Sequence, residues 1–177
     1  MMWGLSSFVA VWMFQKHWTL AEVHIGYFGV LWAVYNITVG ISGKFAPWLE
    51  AKFGSKFMLF LIAGLPVAGY FSLAAFTGYL GVLLGLLINI GRGMTQVVLK
   101  EALNWRIPSE YRATLNSLVS LFFRGGFVII GPIVGWAIDR YGLSIAFFSM
   151  GVFFILVFLL VTLPLVFQQV RAKGSSI

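Results

Sequence analysis

The chain has 177 residues, 60% of them hydrophobic and 10% charged, whereas about a quarter of residues are charged in soluble domains, so the composition points to an integral membrane protein built of helices. The absence of cysteine excludes disulfides, thiolate metal sites and cysteine nucleophiles. The net charge of +7 does not signal a nucleic-acid partner, because the Lys and Arg residues stand singly between apolar runs rather than on one basic face.

A helix crossing a hydrocarbon core of about 30 Å needs roughly 20 mostly apolar residues. The first apolar run, about 1–14, stops at the polar "QKHW" and gives only about 21 Å of helix, so it is expected to continue from missing N-terminal sequence, the alternative being that it thins the bilayer around it. It lacks the basic start and small-residue cleavage site of a signal peptide and is taken as part of the structure. Full-length runs follow at 23–46, 57–76, 79–99, 112–138 and 143–167, giving one domain over 1–177. Lys44, Lys52 and Lys56 flank one connection, Lys100, Arg106 and Arg112 another, and Arg171 and Lys173 lie in the tail. By the positive-inside rule these mark the cytoplasmic side of a plasma (cell inner) membrane, with the C-terminus inside. Lys16, His17, His24, Arg140 and the turn at Thr77 and Gly78 then fall outside. Trp12, Trp18, Trp48, Trp105 and Tyr141 stand at the span boundaries, where interfacial rings belong.

Polar residues inside the spans carry the functional signal. Arg92 and Arg124 lie near mid-span, where a charge costs at least about 2.5–3.5 kcal/mol and usually faces a bundle interior or a watery cavity. Asn89, Arg92, Gln96 and Lys100 recur at three- and four-residue steps, on one helix face. Asn116 or Ser117, Ser120 and Arg124 do the same on the next span, and Asn36 adds a polar group on the second. Asn36, Asn89, Arg92, Gln96, Ser120 and Arg124 are therefore candidate cavity-lining residues; the alternative is that the arginines bond helix-end carbonyls or snorkel to an interface. No acidic residue lies in the middle of a span, so the carboxylate that would carry a proton in coupled transport is missing. His17 and His24, with Glu22 between them, read as polar loop residues rather than metal ligands, for want of a third ligand. No catalytic pair and no phosphate-cradling loop occurs in the spans, so neither an enzyme nor a cofactor is expected.

Gly131 and Gly135 leave a helix surface bare at the spacing that permits close backbone approach, and Pro132 between them invites a bend, so the segment reads as a hinge or tight contact. The adjoining "GWAIDRYG", with Gly135, Asp139, Arg140 and Gly142, resembles the loop signature of the major facilitator superfamily. "EAKFGSK" is a weaker echo through Lys52, Gly54 and Lys56, with Ala51 where the aspartate would stand. The run 91–142, including "RATLNS" at Arg112–Ser117, is similar to the tenth and eleventh helices of those transporters. The resemblance implies that the whole chain is the C-terminal six-helix half of a twelve-helix secondary transporter. It would move a small solute by alternating access, with an N-terminal six-helix bundle and the lipid bilayer as partners. One feature departs from the family: "DRYG" falls on the outer side by the charge count. "GPIVGW" partly resembles the antiporter signature, but Trp136 replaces its last glycine, and antiport does not follow. A different class stays open, a small accessory membrane protein that packs against other subunits through its glycine faces.

Overall fold

A computed structural model describes residues 2–105 and 107–164, which form helices joined by short turns; no strand occurs among them. Arg106, Arg171 and Lys173 lie outside the described residues. The helices are α1 (Met2–Leu20), α2 (Phe28–Ala75, entered through a 3-10 turn at Ile25–Tyr27), α3 (Tyr79–Leu84), α4 (Leu86–Trp105), α5 (Ser109–Tyr141) and α6 (Leu143–Val157), the last running on as a π turn at Phe158–Thr162. Four stretches are long and apolar enough to cross a membrane: Ile25–Ala75, Tyr79–Trp105, Ser109–Tyr141 and Leu143–Thr162.

The first helix corrects the sequence reading. It does not stop at Phe14 but runs 19 residues to Leu20, about 28 Å at 1.5 Å per residue. "QKHW" lies within the helix, with Gln15 and Lys16 exposed and His17 and Trp18 buried. Four polar-looking letters concealed an amphipathic turn. Trp18 accordingly is no interfacial anchor; it packs edge-on against Phe28, Trp32 and Tyr35 at 5.1–5.3 Å between ring centres. Trp12, Trp48, Trp105 and Tyr141 are exposed, as anchoring rings would be.

The expected loop between the second and third runs is also absent. α2 continues through it and breaks only at Gly54, whose φ of 85° and ψ of 159° lie outside the helix. The break divides α2 into arms 28–53 and 55–75. Gly142, between α5 and α6, adopts nearly the same backbone, φ 88° and ψ 164°. This region of φ/ψ space is essentially open to glycine alone, because a Cβ there collides with the backbone.

Contacts fix which ends lie together. His17 Nε2 lies 3.0 Å from the Phe76 carbonyl, and Lys16 Nζ is 3.3 Å from Asp139 Oδ1, so the end of α1, the start of α3 and the end of α5 share one end of the molecule. At the other end Trp3 Nε1 donates to Thr162 Oγ1 at 3.0 Å. Phe71 meets Phe148 and Phe60 meets Phe158, so the second arm of α2 runs antiparallel to α6. The closest helix crossing is between the first arm and α4, where a Cβ on Gly43 would lie 3.3 Å from the Gly93 carbonyl and one on Gly93 would strike Ser42 and the Val39 carbonyl. Two tyrosine hydroxyls tie the interior, Tyr35 donating to the Val82 carbonyl at 2.6 Å and Tyr70 to the Ser6 carbonyl.

A weak internal repeat runs through this arrangement at a spacing of 88 residues. Gly54 matches Gly142 in residue and backbone, and Phe53 matches Tyr141, Lys52 Arg140, Trp48 Trp136 and Gly43 Gly131. Burial follows the same register at several positions. Val134, the buried residue of α5, corresponds to buried Ala46. Ala146, Gly151, Phe154 and Val157 of α6 correspond to Met58, Ala63, Pro66 and Gly69, all buried. Between the two matched turns the chain passes along 55–75, back along α3 and α4, and out again along α5, an odd number of traverses, which leaves the two turns at opposite ends.

Replacing Gly54 or Gly142 by Ala should cost about 1–3 kcal/mol each, the usual strain of a side chain in this region. Gly64→Ala, at a helical position with open space around the new methyl, should be neutral or stabilising by up to about 1 kcal/mol. Denaturant unfolding of the three variants in the same micelle measures the difference.

Candidate functional site

The candidate residues separate into two groups. On α4, Asn89 is buried and its Nδ2 donates to the Gly85 carbonyl at 3.2 Å. Arg92, almost a turn further, is half-buried, and Gln96 and Lys100 open onto a cleft of about 530 Å³. The α4 stripe thus leads from the core to an open, polar cleft, which Glu101, Asn104, Trp105 and Arg112 complete. Two hydrogen bonds hold the α4–α5 connection around it. Arg112 Nε donates to the Ile107 carbonyl at 3.1 Å, and Asn116 Nδ2 to Asn104 Oδ1 at 3.1 Å.

Asn36, Ser120 and Arg124 form the second group, and all three are exposed. Asn36 Nδ2 donates back to the Trp32 carbonyl at 2.8 Å, and Ser120 Oγ to the Asn116 carbonyl at 3.0 Å, bonds that stay within their own helices. The described chain therefore does not enclose Arg124 or bring it together with the α4 stripe. Ser117, Ser120, Arg124, Gly131 and Gly135 follow one another at steps of three, four, seven and four, a continuous stripe along α5 beside the face that packs on α1. In the 88-residue register Asn36 and Arg124 occupy equivalent positions on the first arm of α2 and on α5.

The glycine pair behaves differently from the sequence expectation. A Cβ on Gly131 would first meet the ring of Phe127 in its own helix, at 3.2 Å, and one on Gly135 would meet nothing within 4 Å. Close approach is absent there because the bulky Trp12, Met13 and Phe127 hold α1 and α5 apart, leaving a cavity of about 250 Å³ onto which both glycines open. Trp12 stacks on Phe127 with ring centres 5.7 Å apart. The backbone stays helical through Pro132. Asp139 does not merely cap α5. It crosses to Lys16 on α1 at the edge of this cavity, and Arg140 beside it is exposed. At the matched turn, Lys52 lies over the Trp48 ring at 5.0 Å, Ser55 Oγ donates to Glu50 at 2.7 Å, and Lys56 is exposed.

The two cavities are themselves related by the repeat. Val9, Trp12, Met13 and Lys16 on α1 border one; their equivalents on α4, Val97, Lys100, Glu101 and Asn104, border the other. The end cavity on α1 is largely apolar with an ion pair at its rim, and the one on α4 is polar.

His17 is the residue that sequence reasoning misplaced. It is 1% exposed, bonded to Phe76 and edge-on to Phe147 at 5.8 Å, not a loop residue. The signal that could have found it is the three-residue step from Phe14, which continues the buried face of α1. His24 does lie in the connection, its Nδ1 accepting from Gly26 N at 3.1 Å. Among the described residues no three metal-ligating side chains come together. No protein-family profile, curated protein or solved structure matches the chain.

The Lys16–Asp139 pair has side chains 52% and 79% exposed, so it should contribute no more than about 1 kcal/mol and be screened by salt. A double-mutant cycle of Lys16→Gln and Asp139→Asn should give a coupling of about 0.2–1 kcal/mol in dilute buffer and less at 1 M NaCl, read from unfolding midpoints.

Proposed function

We propose that the chain is one six-helix bundle of a secondary transporter of the major facilitator type. It would move a small solute across the plasma membrane by rocking against a second bundle. The single observation that carries this reading is the 88-residue repeat with its paired glycine turns at opposite ends of the molecule. Three-helix units repeated with inverted topology are the plan from which each half of such transporters is built, with the solute held near mid-depth between the halves. In this register α1 pairs with α3 and α4, the first arm of α2 with α5, and its second arm with α6.

The polar stripe of α5 supports the same reading. Arg124 is exposed at mid-span, and a guanidinium left against hydrocarbon would cost at least about 2.5–3.5 kcal/mol. A second bundle covering Ser120 and Arg124, with Asn36 on the equivalent helix, removes that cost and creates a polar chamber. The arginine would meet an anionic or hydrogen-bonding solute there. An accessory subunit that assembles with other membrane proteins would also cover Arg124, but it has no need of an inverted repeat.

The test is reconstitution of the chain in liposomes, with its oligomeric state fixed by crosslinking and uptake followed for a panel of radiolabelled small anions. A proven monomer should show no saturable uptake. An assembly that restores a second bundle should transport, and Arg124→Ala should lower its rate at least about ten-fold, the loss expected for one charge-assisted contact. Saturable uptake by the monomer contradicts the reading.

A further inference from the structure

We propose that the cleft between the end of α4 and the start of α5 binds the headgroup of an anionic phospholipid. The cleft offers this site whether or not the chain transports. Lys100 and Arg112 bring two positive charges to the lining against the single negative charge of Glu101. Gln96 and Asn104 add amide groups, and Asn104 is held in place by its bond from Asn116. Arg112 gives its Nε–H to Ile107, which leaves its terminal amino groups for a ligand. A phosphate needs such a set of converging cations and donors, and arginine suits it because its fork of donors matches two phosphate oxygens.

Three features favour a lipid over a free anion. The cleft lies where a helix of mean hydropathy sufficient to cross a membrane ends, beside the short connection to the next such helix, so it sits at the level of headgroups. Its lining is mixed: Val97 supplies an apolar wall and Trp105, 83% exposed, an amphipathic ring at the rim, so that acyl chains could leave along α4 while the phosphate stays among the cations. Finally, it is open rather than enclosed, and at about 530 Å³ it has room for a headgroup with its glycerol. Basic pockets between membrane helices on the side rich in Lys and Arg are where such headgroups are bound.

The full chain in phosphatidylcholine nanodiscs provides the test. Dihexanoyl phosphatidylglycerol should bind about ten-fold tighter than dihexanoyl phosphatidylcholine, since two basic groups act on the phosphate and one acid opposes them. Lys100→Gln with Arg112→Gln should reduce that preference to less than about three-fold, whereas Lys100→Arg, which preserves both charges and leaves the Arg112 fork in place, should keep most of it. Lys44→Gln, a basic change outside the cleft, should leave it intact. Equal affinity of the two lipids for the unaltered chain overturns the proposal, as does a preference that survives loss of both charges in a variant with an unchanged gel-filtration profile. Inorganic phosphate that displaces phosphatidylglycerol at equal concentration would assign the cleft to a free anion instead and would also overturn it.

Discussion

Two glycines held at a positive φ govern how this chain can fold. Within hydrocarbon every backbone N–H and C=O must be satisfied inside a helix, so a chain of this hydropathy has freedom only in where its helices end and turn back. At Gly54 and Gly142 it turns back in a single residue, with no loop, in a backbone conformation that a side chain resists. That constraint fixes the directions in which the arm 55–75 and α6 leave their turns. It sets the register in which Phe60 reaches Phe158 and Phe71 reaches Phe148. It also sets the direction in which the first arm of α2 leaves to cross α4 at Gly43 and Gly93.

With the turns fixed, the polar groups fall into place by depth and by face. α1 carries polar side chains yet is surrounded: Ser6, Ser7 and His17 are buried, with Tyr70 bonding to the Ser6 carbonyl and His17 to that of Phe76. Its polarity is used internally. α5 is the reverse, buried at Val134 and exposed over most of its length, with its polar stripe turned away from the core. A helix of that kind, carrying an uncovered arginine at mid-span, makes sense where a second polar surface faces it. The asymmetry between the related end cavities follows from single substitutions in the repeat. Lys16 meets Asp139 at one end, whereas the equivalent residues at the other are Asn104 and Ala51, and Asn104 bonds Asn116 instead.

Much of this was legible in the sequence, and the failures have physical causes. The apolar runs located every long helix, because length and hydropathy are the properties a bilayer selects. Helix ends were misjudged where polar residues were equated with loops. "QKHW" and "WLEAKF" both continue helices, since two exposed polar positions in a turn cost nothing at a membrane boundary. The glycine pair at 131 and 135 illustrates the limit of spacing rules. Small residues permit close approach, but the opposing side chains decide it, and Trp12 and Met13 on α1 border an open cavity there. The contact that does form, Gly43 on Gly93, joins two helices whose partnership no local pattern announces. The likeness of "EAKFGSK" to "AIDRYGLS" was visible as two copies of a motif; that it marks a longer repeat required the burial pattern and the matched turns.

The inverted repeat is the central claim, and sidedness of equivalent residues tests it most directly. Phe53 and Tyr141 precede the two glycines, are 50% and 53% exposed, and stand 88 residues apart. Single cysteines at these positions in the otherwise cysteine-free chain, probed with a membrane-impermeant maleimide in intact cells and in inverted vesicles, should label from opposite sides, Tyr141→Cys from outside. Labelling of both from the same side would mean that the two units are not inverted, and would contradict the account.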